Sequence, residues 1–159
     1  MNLALVFAGG AGTRMGADVP KQFLEMAGRP VLAHALAIYE SHPEIDGIYL
    51  VVHRDWEERA RQIATDFGIT KLRGVAYGGD SAQESIYNGL TFAAAREPGD
   101  SIVLLHDGAR PYLTPDVVSA NIASVQARGN AVTYTPCFET VVLSGDGEMV
   151  ASLPPRRNS

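Results

Sequence analysis

The chain has 159 residues, 46% of them apolar, a formal net charge of −5 and one cysteine, Cys137. The length suits a single domain with a sizeable core, and the acidic balance excludes a general affinity for nucleic acid or an anionic membrane surface, so an anionic ligand must meet a local cluster of Lys and Arg. A lone cysteine excludes an internal disulfide and a Cys-rich zinc site, no apolar run reaches the ~18 residues of a membrane span, and the N-terminus lacks the basic stretch of a signal peptide; a cytoplasmic protein with no membrane partner is expected.

Leu3 to Ala8 is a nearly continuous apolar run ending at glycines, as a strand buried on both faces of a parallel sheet reads. The next stretch, FAGGAGTRM over residues 7–15, carries Gly9, Gly10 and Gly12, then Arg14, with Lys21 following Pro20. A dinucleotide fingerprint would need a glycine where Met15 stands, and a P-loop would need its lysine nearer and a Ser or Thr after it. Two readings remain. One is a backbone cradle whose N–H groups approach phosphate oxygens, with Arg14 and Lys21 supplying charge. The other is a tight strand-to-helix turn with surface cations.

Pro30 to Tyr39 has helical apolar spacing, and Gly47 to His53 (GIYLVVH) repeats the buried-strand pattern. Asp55 to Phe67 reads as a helix with a solvated acidic first turn, Trp56 packing on the sheet face. His34 and His42 are expected on helix surfaces without ligand spacing. YGGDSAQES (Tyr77 to Ser85) leads into a helix over Ser81 to Ala95, with Ser81 and Glu84 at capping-box spacing. That box leaves the paired glycines and Ser85 without an explanation. Ser101 to His106 is a third buried strand, followed by HDGARP. There Asp107 can hold a sugar hydroxyl or a metal ion, and Arg110 a phosphate; equally, Asp107 can cap a turn and Arg110 can sit in a surface ion pair. His106 reads as a packed strand-end residue before a general base. Thr114 is a helix cap with Pro115 at the first position. Cys137 reads as a small buried apolar side chain.

Asn130 to Leu143 reads as strand, Ser144 to Gly147 as a hairpin turn and Met149 to Leu153 as the returning strand, ended by Pro154 and Pro155, with Arg156 and Arg157 beyond. Strand and helix alternate, so the expected fold class is α/β: a Rossmann-like, doubly wound, mostly parallel sheet with a projecting β-hairpin arm. In such a sheet ligands bind at the carboxyl ends of the strands, where the glycine loop, YGGDSAQES, HDGARP and the PCFET stretch (136–140) are expected to converge.

Taken together and in order, AGGAGTRM with PKQF, GGDSAQES, HDGARP and ET before a hairpin resemble the sugar-phosphate cytidylyltransferases, over nearly the whole chain. The family includes enzymes acting on methylerythritol phosphate and on ribitol 5-phosphate. FAGG at 7–10, HDG at 106–108 and VHRDW at 52–56 are more similar to the ribitol branch; the other branch more usually reads PAAG and HDAARP. The resemblance implies a single nucleotidyltransferase domain over 1–159 that lacks its C-terminal part, with a dimerisation arm within 130–157.

The implied reaction joins CTP and a sugar-alcohol phosphate, giving a CDP-alditol and pyrophosphate, with magnesium on the phosphates. The resemblance makes Arg14 and Lys21 the catalytic cations and gives the triphosphate to Gly9, Gly10 and Gly12. Ala8, Gly9, Gly79, Asp80 and Ser85 would read the cytosine, and Asp107 and Gly108 would contact the ribose or the metal. No dedicated protein ligand set for the metal is implied beyond Asp107. Arg110, Thr140 and one of Arg156 or Arg157 would bind the second substrate, with Thr140 and that arginine reaching over from the partner in a homodimer. One departure is Ala82, which stands where the family commonly has an arginine (GGxxRxxS). A rival of another class is a non-catalytic nucleotide-binding module on the same fold.

Overall fold

Continuous apolar runs become the centre of the sheet. In the computed structural model, which describes residues 1–9, 19–135, 142–145 and 152, β1 (Asn2–Ala8) is buried from Leu3 to Val6, and β4 (Gly47–Val52) is buried throughout. They lie inside a four-stranded, all-parallel sheet of order β5-β4-β1-β6, with β5 at Leu72–Tyr77 and β6 at Ile102–Asp107; β6 is not the third buried strand expected, because it lies at the sheet edge with its residues half-buried and Leu105 exposed.

Strand order explains where the helices go. From β1 the chain steps outward to β4 and β5, then returns past β1 to β6. Right-handed crossovers place outward and returning helices on opposite faces. Accordingly α1 (Val31–Ser41) and α2 (Glu57–Asp66) pack on one face, joined by α4 (Pro115–Arg128), through Leu32, Leu36, Ile63, Val118 and Ile122. Helix α3 (Ala82–Ala94), the return, covers the other face against Leu3, Leu5, Tyr49 and Val51. The doubly wound α/β expectation holds. The direction reverses between β1 and β6, which makes the carboxyl ends of those strands the natural ligand crevice.

Between β1 and α1 lie a single 3-10 turn, Lys21–Phe23, and a small hairpin of β2 (Glu25–Met26) and β3 (Arg29–Pro30). Both residues of its turn, Ala27 (φ 50°) and Gly28 (φ 76°), are left-handed, the geometry that matches the twist of a two-residue hairpin.

Several expectations need correction. Helix α2 begins two residues late, because Arg54–Trp56 forms its own 3-10 turn. Thr114 occupies the cap position of α4, but its side chain makes no capping bond there, and Pro115 starts the helix. His42 is buried, 3% exposed, and not on a helix surface: its Nδ1 accepts from the Glu44 N–H at 3.2 Å, and its Nε2 faces the Pro115 carbonyl and the Ser119 hydroxyl. His34 is half-buried, with Nε2 donating to the Met26 carbonyl at 2.7 Å. Residues 130–135 form no strand. Beyond them, Leu143 and Ser152, which flank the predicted turn, exchange two backbone hydrogen bonds of 2.9 and 3.2 Å. Among the described residues, no helix is long and apolar enough to cross a membrane.

Candidate functional site

Register brings three loops to one edge of the sheet. Ala8 pairs with Val52, Val52 with Tyr77, and Phe7 with Asp107. The ladder runs one residue further on both sides, through Gly78 N–H to the Val52 carbonyl and Gly108 N–H to the Phe7 carbonyl, each at 2.9 Å. Gly9, Gly78 to Ser81 and Asp107 to Arg110 therefore leave the sheet abreast. Of the segments expected at the strand ends, the start of the glycine loop, GGDS and HDGARP converge as parallel-sheet logic requires, and PCFET lies outside the described residues.

The loop after β5 is held from inside by its own helix. The Ser81 hydroxyl accepts from the Glu84 N–H at 3.1 Å, and the Glu84 carboxylate accepts from the Asp80 N–H at 2.8 Å, one residue earlier than in a standard capping box. Ser85, 6% exposed, accepts from the Gly79 N–H at 3.0 Å and faces the Gly79 carbonyl at 3.4 Å. This accounts for the paired glycines. A Cβ on Gly78 would stand 2.9 Å from Ser85 Oγ, and one on Gly79 would collide with the Glu84 side chain. Gly9 joins the cluster: a Cβ there would be 3.6 Å from Ser85 Oγ. The N–H groups of Gly79 and Asp80 are thus both engaged within the loop, which leaves carbonyls, the Asp80 side chain and the remaining Ser85 lone pair for a ligand.

Lys21 is exposed and sits between Pro20 and two buried neighbours. Gln22, 2% exposed, donates its side-chain amide to the carbonyl of Ala8, the last residue of β1. The Phe23 ring stacks on Trp56, centroids 5.0 Å apart and planes at 23°. Among the described residues no carboxylate pairs with Lys21. Gln22 had no signal of its own in the sequence, because its partner lies fourteen positions away. Trp56 packs against the core as expected. Its neighbour Arg54 lays its guanidinium 4.3 Å over the Tyr77 ring, whose hydroxyl donates to Glu57. The VHRDW stretch thus touches both the Lys21 turn and the flank of the GGDS loop.

After β6 the chain makes a compact knuckle. Asp107 Oδ1 accepts from the Ala109 N–H at 3.0 Å, Asp107 Oδ2 lies 3.4 Å from Arg110 Nε, and the Arg110 N–H returns to the Asp107 carbonyl at 2.9 Å. His106 Nε2 donates to the Arg110 carbonyl at 2.9 Å. Burial pushes the His106 pKa down, so the ring is neutral at physiological pH and serves to hold the loop. The turn-capping aspartate and surface ion pair are both present, and Arg110 remains 80% exposed. Gly108 is buried, with Leu32, Ala8 and Val6 side chains 3.1–3.2 Å from where a Cβ would be. Packing by itself accounts for a glycine at this position.

Arg14, Gly10 and Gly12, together with Cys137, Thr140, Arg156 and Arg157, lie outside the described residues. No group of three or more His, Cys, Asp or Glu gathers among the described residues as a metal cage. The donor set fits magnesium carried on nucleotide phosphates, since that ion keeps several waters and takes one or two carboxylates; Asp107, with Oδ1 bound to one N–H, is a fitting oxygen donor.

Comparison with known proteins agrees with this arrangement. Residues 2–158 match the family described as 2-C-methyl-D-erythritol 4-phosphate cytidylyltransferase (IspD). The chain is 39% identical over 160 residues to a ribitol-5-phosphate cytidylyltransferase of Streptococcus agalactiae serotype Ia, covering 100% of this chain and 67% of that protein. It is also 39% identical over 156 residues to a 2-C-methyl-D-erythritol 4-phosphate cytidylyltransferase of Geotalea uraniireducens, covering 98% and 66%. A crystal structure of 4-diphosphocytidyl-2C-methyl-D-erythritol synthase from Anaerococcus prevotii superposes with a TM-score of 0.77 at 30% identity, over 98% of this chain and 63% of that one. The chain spans about two thirds of the length of these relatives. With a parallel sheet, three loops on one edge and a match over nearly its full length, the chain belongs to the IspD family of cytidylyltransferases, a kind of nucleotidyltransferase.

Proposed function

We propose that the protein joins CTP to D-ribitol 5-phosphate, releasing pyrophosphate and forming CDP-ribitol. The observation that carries this reading is the gathering of Gly9, the Gly78–Ser85 loop and the Asp107–Arg110 knuckle at one sheet edge, beside a turn that displays Lys21. The preference for ribitol rests on FAGG and VHRDW, and on identity to the Streptococcus agalactiae relative over the whole chain. A second reading, 2-C-methyl-D-erythritol 4-phosphate as substrate, is favoured by the family description and by equal identity to the Geotalea relative.

In the proposed reaction a phosphate oxygen of the alditol phosphate attacks the α-phosphorus of CTP in line. The bond to the bridging oxygen breaks, and pyrophosphate leaves. No covalent intermediate with the protein is needed, so the protein's work is positioning and charge stabilisation. The backbone at Gly9, Gly10 and Gly12 cradles the triphosphate. Arg14 and Lys21 stabilise charge on the α-phosphoryl group and the leaving group. Ala8, Gly79, Asp80 and Ser85 read the cytosine. Arg110, with Thr140 and Arg156 or Arg157 of a homodimer partner, binds the second phosphate. Asp107 meets the ribose or the metal. Magnesium, when bound, neutralises phosphate charge. A single cysteine and a nucleotide substrate suit the cytoplasm.

Incubating the full-length protein with each NTP, magnesium and a panel of sugar phosphates, and following pyrophosphate release, tests the reading. Release with CTP and ribitol 5-phosphate supports it. Release only with methylerythritol phosphate selects the second reading, and nucleotide binding without release selects a non-catalytic module.

A further inference from the structure

We infer that Gln22 is a positioning residue for Lys21, acting through the hydrogen bond its side-chain amide donates to the Ala8 carbonyl; the inference rests on the cytidylyltransferase reading and deepens it. A single 3-10 turn is too short to hold itself in place. This one has two backbone bonds, Phe23 N–H to the Pro20 carbonyl at 2.9 Å and Leu24 N–H to the Lys21 carbonyl at 3.2 Å. Val31 N–H to the Leu24 carbonyl at 2.9 Å ties its end to the start of α1, and the rest of its location comes from its side chains. Phe23, buried in the core, stacks on Trp56 and sets the depth of the turn, but a ring offers no hydrogen bond to tie the turn to β1. The Gln22 amide supplies that tie. It is 2% exposed, and its nitrogen donates to the carbonyl that immediately precedes Gly9.

A buried amide is tolerated only where it is matched, and an apolar side chain would fill the same space without matching the Ala8 carbonyl. What Gln22 adds is registration. The peptide that enters the glycine loop and the turn that carries Lys21 become one unit. The β6 knuckle uses the same device, where His106 pins the Arg110 carbonyl. Lys21 reaches its target through a long flexible stem, so an error in its Cα position is passed on to the ammonium group. A misplacement of ~1 Å costs about 10²-fold in rate in well-organised sites.

The test is steady-state turnover of the full-length chain with CTP and ribitol 5-phosphate for wild type, Gln22→Met, Lys21→Ala and the double variant. Gln22→Met is expected to lower kcat about tenfold or more, leaving KM for CTP within about twofold. The double variant is expected to be no slower than Lys21→Ala alone. Losses that multiply in the double variant, or an unchanged kcat in Gln22→Met, overturn the inference. Gln22→Asn keeps the amide but withdraws it by one methylene, and gives the same readout should the methionine variant fold poorly. Acylation footprinting of Lys21 by mass spectrometry reads position without turnover: CTP is expected to shield Lys21 in wild type and to shield it less in Gln22→Met. Equal shielding counts against the inference. A wild-type protein that neither turns over nor is shielded removes the cytidylyltransferase reading itself, which is distinguishable from an active wild type whose variants combine multiplicatively.

Discussion

The Ser85 hydroxyl clasps a single residue, 3.0 Å from the Gly79 N–H and 3.4 Å from the Gly79 carbonyl. The clasp sets the shape of the loop that meets Gly9. Ser85→Ala should leave the Gly79 N–H unpaired at a cost of about 1 kcal/mol. It should also raise KM for CTP by about tenfold, the equivalent of ~1.4 kcal/mol. Gly78→Ala should act on the same loop, since its Cβ would stand 2.9 Å from Ser85 Oγ. Thermal melts and CTP titration check both; an unchanged KM for CTP in Ser85→Ala would remove Ser85 from base recognition.

Gly108 separates the sequence likeness of this chain from the HDAARP form, yet it touches core side chains. Gly108→Ala places a methyl 3.1 Å from Leu32 and 3.2 Å from Ala8 and Val6. It should cost about 1 kcal/mol through overpacking and leave the choice between alditol phosphates unaltered. A melt together with a two-substrate comparison tests this. A switch of substrate preference would mean that the glycine acts on the ligand.

Arg110 is tied to Asp107 by an exposed ion pair worth about 0–1 kcal/mol, so a phosphate can claim it at little cost. Arg110→Ala should raise KM for the sugar phosphate and leave CTP binding alone. Lys21→Ala should instead lower kcat by about 10²-fold or more, because the proposed mechanism places its work in the transition state. Initial rates with each substrate varied in turn separate the two. Equal loss of both affinities in Arg110→Ala would sink its assignment, and a raised KM with intact kcat would reduce Lys21 to a ground-state binder.

Away from the site, Glu97 accepts from the Tyr49 hydroxyl and from Arg73, and these bonds hold its carboxyl below its ordinary 4.5. A folded pKa below the unfolded one means stability that is present above pH 4.5 and lost as pH falls through the folded value. Tyr49 behaves oppositely. Burial, then Glu97, raises it to about 12, so its contribution holds below pH 10 and is lost as pH rises through about 12. Glu97→Gln should flatten the acid limb of a denaturation-versus-pH curve. An acid limb identical to wild type would contradict the assignment.

The sheet was legible where burial was two-sided. β1 and β4 show as apolar runs because both faces are covered, β6 shows as one although it is a half-buried edge strand with Leu105 exposed, and Ser81 announced α3 through chemistry local to the cap. β5 was not legible: LRGVAY lies at the sheet edge, with Arg73 reaching over Gly47 and Gly74 yielding to the Phe92 ring. The β2–β3 hairpin has two-residue strands, and its left-handed Ala27 carries no turn signature. At the site, the glycine, GGDS and HDGARP loops could be located from strand ends alone. The roles of Gln22 and buried His42 could not, because Gln22 donates to a carbonyl fourteen positions away and His42 faces Pro115 and Ser119 on a distant helix, partners set by tertiary packing.

The most direct measurement is pyrophosphate release by the full-length protein at saturating CTP and magnesium, with ribitol 5-phosphate and methylerythritol 4-phosphate compared side by side, wild type against Lys21→Ala. The expected result is turnover that favours ribitol 5-phosphate and falls about 10²-fold or more in Lys21→Ala. Absence of release with either phosphate, or release untouched by the loss of Lys21, would contradict it.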